Sequence, residues 1–310
     1  MEKAKISFVI PCYGSERTIE NVVNGIIETV SEKNPYEIIC INDCSPDGVY
    51  QVLVKLAYTN KNIKVINLSK NFGQHNAMMA GYHYVTGDIV ITLDDDGQTD
   101  PHLCYALIDT IDENTDVVYA KYPYKKHNIF RNFGTWMTKL MKIWLCEWPK
   151  TLTSTSYFAA KRFIIDEIVK YENPYTFQPG LIIRTTRKIK NVTVEHHKRE
   201  YGKSGYTFKK LLNLWVNGFT QFSVKPLRIA TFLGGGVAAF GFIFAIFIII
   251  RKILNPAITV GYSSIMCALL FIGGVLMLML GLVGEYIGRI YICMNQSPQF
   301  VIRNTINIDK

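Results

Sequence analysis

Residues 88–101 read DIVITLDDDGQTDP. The run DIVITL (88–93) is short, rich in β-branched side chains and apolar on both faces, which predicts a strand buried within a sheet. Three carboxylates, Asp94, Asp95 and Asp96, follow it at once, and Gln98 stands two places further on. The chain as a whole is basic, with 34 Lys and Arg against 25 Asp and Glu and a formal net charge of +9. Neighbouring carboxylates repel one another, so three of them at one strand end in such a chain need a reason. A hard divalent cation held through oxygen would relieve the repulsion, bridge a substrate diphosphate and neutralise a departing phosphate. The alternative is a solvated acidic turn, with Asp100 before Pro101 capping the next helix.

Outward from this strand the same pattern repeats. ISFVIPC (6–12), YEIICIND (36–43), IKVINL (63–68) and DVVYAKY (116–122) read as further strands. Between them, TIENVVNGIIETV (18–30) places Ile19, Val22, Val23, Ile26, Ile27 and Val30 on one helical face. VYQVLVKLAY (49–58), NAMMAGYHYV (76–85) and residues 102–113 also read as helices. Strands that alternate with helices and are apolar on both faces predict an α/β fold with a parallel sheet. Ligands in such sheets bind beyond the carboxyl ends of the strands. At those ends stand Pro11 and Tyr13, then Asn42, Asp43 and Ser45, then Ser69, Lys70, Asn71 and Gly73, then Asp94 to Gln98. No G-x-G-x-x-G and no G-x-x-x-x-G-K-[ST] follows any strand, so the dinucleotide and P-loop readings lack support.

Hydrophobic residues at 49% and charged residues at 19% allow a substantial core and argue against disorder. The seven cysteines are odd in number, scattered and without a C-x-x-C, which points to a reduced compartment rather than to disulfides or zinc. MEKAKISFVIPCYG has too short an apolar run for a secretory signal. Residues 229–250 and 263–284 are both uncharged, and each is long enough as a helix to cross a bilayer core of ~30 Å. Two buried helices of a soluble core are the competing reading. Two spans would return both chain ends to one side, which we take as the cytoplasm, with the protein multi-pass in the inner (plasma) membrane. The expected domains are residues 1–225, the paired spans 226–290 and a tail 291–310. Stretches 129–148 and 206–224 interleave aromatic, apolar and basic residues, which suits helices lying in a headgroup layer, with ordinary domain packing as the alternative. An anionic lipid surface then accounts for the basic charge, and no nucleic-acid motif is present. The tail 297–308 reads as a strand or hairpin that could add to a neighbouring subunit's sheet and build a homo-oligomer such as a tetramer.

Four segments, in order, carry a resemblance: FVIPCYGSERTI, ICINDCSPDG, LSKNFGQHNAMMAGYHYVTGDIVITLDDDGQTDP and REYGKSGYTFKKLLNLWVNGFTQFSVKPLR. They resemble the P-x-Y-N-E, D-D-G-S-x-D, N-x-G…D-x-D-x-Q-x-x-P and R-x-x-G-x-S-x-Y…F-S-x-x-P-L-R segments of the inverting family 2 glycosyltransferases, in their polyprenyl-phosphate branch. The resemblance implies a GT-A fold, a Rossmann-like mixed sheet with flanking helices, followed by amphipathic juxtamembrane helices and two transmembrane helices. It implies transfer of a sugar from a nucleotide sugar, UDP-linked, to polyprenyl (undecaprenyl) phosphate with Mg²⁺ or Mn²⁺. On this likeness Asp94, Asp96 and Gln98 would hold the cation. Asp94, Asp96, Arg131 and Ser156 would stand at the reacting centre. Pro11, Tyr13, Glu16, Asp43, Asn71, Asp94, Asp95, Arg199, Lys203 and Ser204 would bind the nucleotide sugar.

The chain also departs from the pattern. Gly14 and Ser15 replace Asn-Glu, with Glu16 as the substitute, and Asn42 and Cys44 replace an aspartate and a glycine. Ser156 stands where many relatives carry an aspartate proposed as a base. A phosphate monoester is already anionic at neutral pH and needs positioning more than deprotonation, whereas a hydroxyl acceptor needs a base. Ser156 therefore favours a lipid-phosphate acceptor. The alternatives are a glycolipid or polysaccharide synthase with a hydroxyl acceptor, and a catalytically silent membrane scaffold.

Overall fold

A computed structural model describes residues 4–122, 143–144, 147–194, 225–254 and 261–308. The described residues form two compact units, one of residues up to 194 together with 297–308, the other of residues 225–254 and 261–296. In the first unit β1 (Ile6–Cys12), α1 (Ile19–Val30), β2 (Tyr36–Asn42), α2 (Val49–Thr59), β3 (Ile63–Leu68), α3 (Gln74–Tyr82) and β4 (Ile89–Thr92) alternate as expected. A 3₁₀ turn (Pro101–Leu103) leads into α4 (Cys104–Ile108), followed by β5 (Val117–Lys121), β6 (Phe158–Lys161), α5 (Arg162–Ile168), α6 (Gln178–Thr185) and β7 (Ile189–Thr193). The last strand, β8 (Ile302–Ile306), lies after the second unit's helices, α7 (Lys225–Leu254) and α8 (Tyr262–Met294).

Among the described residues the sheet has eight strands in the order β7-β5-β6-β4-β1-β2-β3-β8. The centre, β4-β1-β2-β3, is parallel, and its residues are buried almost throughout. That is why these strands read as unbroken apolar runs. On α1, Ile19, Val22, Val23, Ile26 and Val30 are all buried in the core cluster against the sheet, as their 3.6-residue spacing requires. Gly81 of α3 meets the sheet so closely that a Cβ there would lie 2.7 Å from Ile41 Cδ1 and 2.8 Å from Val9 Cγ1.

The sheet is mixed, as the family resemblance implies, because β6 inserts antiparallel between β4 and β5, so β5 is not the neighbour of β4. With four residues, two of them alanines, β6 has too little apolar length to announce itself. The helix expected over 102–113 is a 3₁₀ turn plus five α-helical residues, started by Asp100, whose carboxylate accepts from His102 N at 2.9 Å. The helix expected at 76–85 begins earlier, at Gln74, and ends at Tyr82. The tail strand pairs antiparallel with β3 of its own chain, at the edge of the sheet.

The second unit is helical. Within α8, Phe271–Met294 is long and apolar enough to cross a membrane, and in α7 Ala230–Phe244 forms a shorter apolar stretch. The expected span 263–284 lies wholly within α8. Phe240 of α7 and Leu278 of α8 are each 71% exposed. Of the stretches expected at a headgroup layer, 206–224 and most of 129–148 lie outside the described residues. Trp148, at the end of the latter, is buried edge-on against Tyr119 with ring centroids 5.6 Å apart, so this residue belongs to the core.

Candidate active site

The rim beyond the carboxyl ends of β1, β2, β3 and β4 is knitted by side chains that accept from backbone amides of the neighbouring loop. At the end of β4 the three carboxylates part company. Asp95 turns back, and its Oδ2 accepts from Tyr13 N at 2.8 Å, while Thr18 Oγ1 donates to the Asp95 carbonyl at 2.6 Å. Burial, reinforced by the neighbouring Asp94 charge, pushes the Asp95 carboxyl up to about 6. Asp94 is held on both oxygens: Gln74 Nε2 donates to Oδ1 at 2.8 Å, and the Ser156 hydroxyl donates to Oδ2. Asp96 Oδ1 accepts from Gln98 N at 3.1 Å, across a turn that needs Gly97 at a φ of +70°. Tyr122 closes this side. Burial raises its phenol above the ordinary range, and the charges of Asp94 and Asp96 raise it further.

Asp43, at the end of β2, accepts from Phe72 N at 2.7 Å and Gly73 N at 2.9 Å. Burial pushes its carboxyl above the ordinary range, and the two amides restrain the rise. It therefore shapes the β3–α3 loop, with Gly73 at a φ of +86°, and through it presents exposed Asn71 and Gln74 at the rim. The β1–α1 and β2–α2 loops are clasped together. Gly14 N donates to Ser45 Oγ at 2.8 Å, Glu16 N to Asp47 Oδ2 at 3.0 Å and Gly48 N to Glu16 Oε2 at 3.1 Å. Burial pushes the Asp47 carboxyl up, but the Ser45 hydroxyl and the amides of Glu16 and Val49 bring it below the ordinary range.

The structure thus gathers Tyr13, Asp43, Asn71, Asp94, Asp95, Asp96, Gln98 and Ser156 along one rim. Tyr13 is exposed there. Pro11 is buried within β1, in register with Ile41. Glu16 uses its carboxylate to tie two loops. Arg131, Arg199, Lys203 and Ser204 lie outside the described residues. Sequence reasoning missed Gln74, Asp47 and Tyr122. Asp47 lay within the quoted segment ICINDCSPDG, but Gln74 reaches Asp94, and Tyr122 comes under the charge of Asp94 and Asp96, only through the fold.

The donor set fits a hard divalent cation. Asp94, Asp96 and Gln98 offer oxygen, and no soft ligand stands among them. Among the described residues no group of three or more His, Cys, Asp and Glu converges as a metal site. Two carboxylates with the remaining positions left to water and substrate oxygens suit Mg²⁺ or Mn²⁺ bound together with a diphosphate.

Comparison with known proteins agrees with this picture. The family model described as glycosyl transferase family 2 matches residues 7–169, and the model described as the GtrB C-terminal hairpin matches residues 225–290. An undecaprenyl-phosphate 4-deoxy-4-formamido-L-arabinose transferase of Proteus mirabilis is 32% identical over 99% of this chain and 95% of its own length. An uncharacterized glycosyltransferase of Synechocystis sp. is 31% identical over 96% of this chain and 94% of its own. Among solved structures, a glucosyl-3-phosphoglycerate synthase from Mycobacterium tuberculosis, in complex with Mn²⁺, UDP and glucosyl-3-phosphoglycerate, superposes with a TM-score of 0.53 at 18% identity. That match covers 74% of this chain and 79% of the other, and it speaks for the fold alone.

Proposed function

Because this chain belongs to the family 2 glycosyltransferases, we propose that it transfers a sugar from a UDP-linked donor to a polyprenyl phosphate such as undecaprenyl phosphate, with inversion at the anomeric carbon. The observation that carries the reading is the end of β4. There Asp94, fixed by Gln74 and Ser156, stands beside Asp96 and Gln98 on the rim where an α/β sheet binds ligands. The relatives that match nearly end to end and are named for their reaction act on undecaprenyl phosphate, which supports the acceptor. The UDP and Mn²⁺ bound by a protein of the same fold support the donor and the cation.

In this reading Tyr13 and the loops braced by Asp43 and Asp47 receive the nucleotide. Asp94, Asp96 and Gln98 would hold the cation, which would offset the charge that builds on the departing diphosphate. A phosphate oxygen of the lipid attacks the anomeric carbon from the face opposite the nucleotide. The bond from that carbon to the UDP oxygen breaks, and UDP leaves with the electron pair. No proton need be removed from an ionised phosphate, so Ser156 suffices where a hydroxyl acceptor would call for a carboxylate base. Ser156 keeps Asp94 oriented without adding a second negative charge beside it.

We place α7 and α8 across the membrane as a pair. The first unit contains both residues 4–194 and the tail strand, in one sheet. An odd number of crossings between them would separate β8 from β3, so a spanning α8 requires α7 to cross as well. The basic sheet unit then faces the cytoplasm. The test uses full-length protein in membranes, a panel of radiolabelled UDP-sugars, undecaprenyl phosphate and Mn²⁺ or Mg²⁺. Label should enter an organic-extractable product of inverted configuration, and Asp96→Ala should reduce its formation by at least 100-fold. An Asp96→Ala enzyme of undiminished rate would exclude the cation role, and no product with any donor would leave only a silent scaffold.

A further inference from the structure

The tail does more than fill a sheet edge. After α8 the chain returns to the first unit and is fixed at successive points. Gln299 is buried, and its Nε2 donates to Tyr171 O, Asn173 O and Thr176 Oγ1 at 2.8–3.0 Å. Phe300 packs on His83 with ring centroids 5.5 Å apart. Val301 O accepts from Ser69 N at 2.9 Å, and Arg303 donates through its guanidinium to Ser69 O at 3.2 Å. Ser69 is the first residue of the β3–α3 loop. The β3–β8 register is bulged at this point: Asn67 faces Asn304 and Leu68 faces Ile302, so Arg303 has no partner in the ladder. A bulge re-aims the extra side chain, here toward the rim.

One register further, three asparagines lie side by side across β2, β3 and β8. Asn42 Nδ2 donates to Asn67 Oδ1 at 2.9 Å, Asn67 Nδ2 to Asn304 Oδ1 at 2.9 Å and Asn304 Nδ2 to the Tyr50 hydroxyl at 2.6 Å. The direction of the chain is set at its start. Ser45 N can only donate, and it donates to Asn42 Oδ1 at 3.1 Å, so each amide in turn presents oxygen to one neighbour and nitrogen to the next. Aligned hydrogen bonds of this kind strengthen one another. The row ends one residue before Asp43, whose carboxylate holds the Phe72 and Gly73 amides.

We propose that the tail Gln299–Ile306 is a positioning element of the donor site. Asn304, through Asn67 and Asn42, and Arg303, through Ser69, set the end of β2 and the β3–α3 loop that carry Asp43, Asn71 and Gln74. The proposal rests on the reading that these residues face a nucleotide donor. Asn304 touches no substrate and acts only through its neighbours.

The experiment compares wild type, Asn304→Leu and Asn304→Asp as full-length protein in detergent. Leucine keeps the volume and leaves Asn67 Nδ2 without its acceptor. Aspartate restores an acceptor for Asn67 and can take the Tyr50 hydroxyl as donor. In Asn304→Leu, hydrogen exchange of peptides spanning residues 69–76 should accelerate at least tenfold, while peptides from β1 and β4 stay unchanged. UDP affinity with Mn²⁺ should weaken about tenfold, KM for undecaprenyl phosphate should not move, and Asn304→Asp should recover both exchange and affinity. Unchanged exchange at 69–76, or an acceleration spread uniformly over the sheet, would overturn the proposal, since the tail would then only stabilise the fold. Wild type that fails to bind UDP would sink the donor reading, and the exchange data would still decide whether the tail positions the loop.

Discussion

At the scale of single residues, the rim works because carboxylates are given different tasks by different partners. Asp43, Asp47 and Asp95 accept backbone amides and act as braces, whereas Asp94 is held by two side chains at the point where chemistry is expected. Ser156→Ala removes one of those two donors and leaves Gln74. A hydrogen bond to a charged group is worth about 1.5 kcal/mol, so kcat should fall about tenfold with the donor KM little changed. Steady-state kinetics with the best UDP-sugar would measure this, and an unaltered kcat would mean that Asp94 needs no second support. Far from the rim, Glu37 is 2% exposed in β2 and bonds Ser7, Thr86 and the ammonium of Lys64, the last at 2.7 Å. Burial alone would raise its carboxyl, but Lys64, Ser7 and Thr86 bring it down to about 2. The unfolded chain binds this proton near pH 4.3, so the group's stabilisation is complete above that pH and is lost as pH falls toward 2. Glu37→Gln should therefore lower the unfolding free energy at pH 7 by about 3 kcal/mol and flatten the acid limb of the Tm–pH curve between roughly pH 2 and 4.

At the scale of elements, helix α3 links core packing to the site, because its first residue, Gln74, reaches Asp94 and its Gly81 lies against β1 and β2. Gly81→Ala gains helix propensity of about 1 kcal/mol but drives a methyl into Ile41 and Val9, both fully buried. Overpacking of about 1–3 kcal/mol should win, lowering Tm by several degrees, and a variant with a higher Tm would show that the helix can lift off the sheet freely. The elements legible in the sequence were those that stand in a run of large apolar and β-branched side chains or carry a spaced apolar face: β1 to β5, α1 and α2. β6 is only four residues long, and the antiparallel β8 is paired across more than 230 positions, so neither local pattern nor spacing could reveal its neighbours. The site divides in the same way. Its carboxylates were visible because they cluster in sequence. Asn42 read as a lapse from the family's aspartate, yet in the fold it is the first member of an amide row that needs partners 25 and 262 residues away.

At the scale of the whole molecule, the tail strand constrains topology. Residues 302–306 lie in the sheet beside residues 65–68, so the segments before α7 and after α8 share one side of any membrane that the helices cross. The exposed phenylalanines of α7 and the leucines of α8 would be costly in water at about 25 cal/mol per Å² of apolar surface, a cost that the proposed lipid surroundings would remove. Glu285 and Arg289, inside the apolar Phe271–Met294 stretch, pair at 2.7 Å one turn apart, which partly offsets the cost of carrying both charges toward the bilayer. Single reporter cysteines on a cysteine-free background, labelled in intact cells and in inverted vesicles with a membrane-impermeant maleimide, would read the arrangement. Cysteines placed at residue 61, in the turn before β3, and at residue 307, after β8, should react only in inverted vesicles. One at residue 258, between the helices, should react only in intact cells. If residue 258 labels from the same face as the other two, α7 and α8 lie on the membrane surface or enter without crossing.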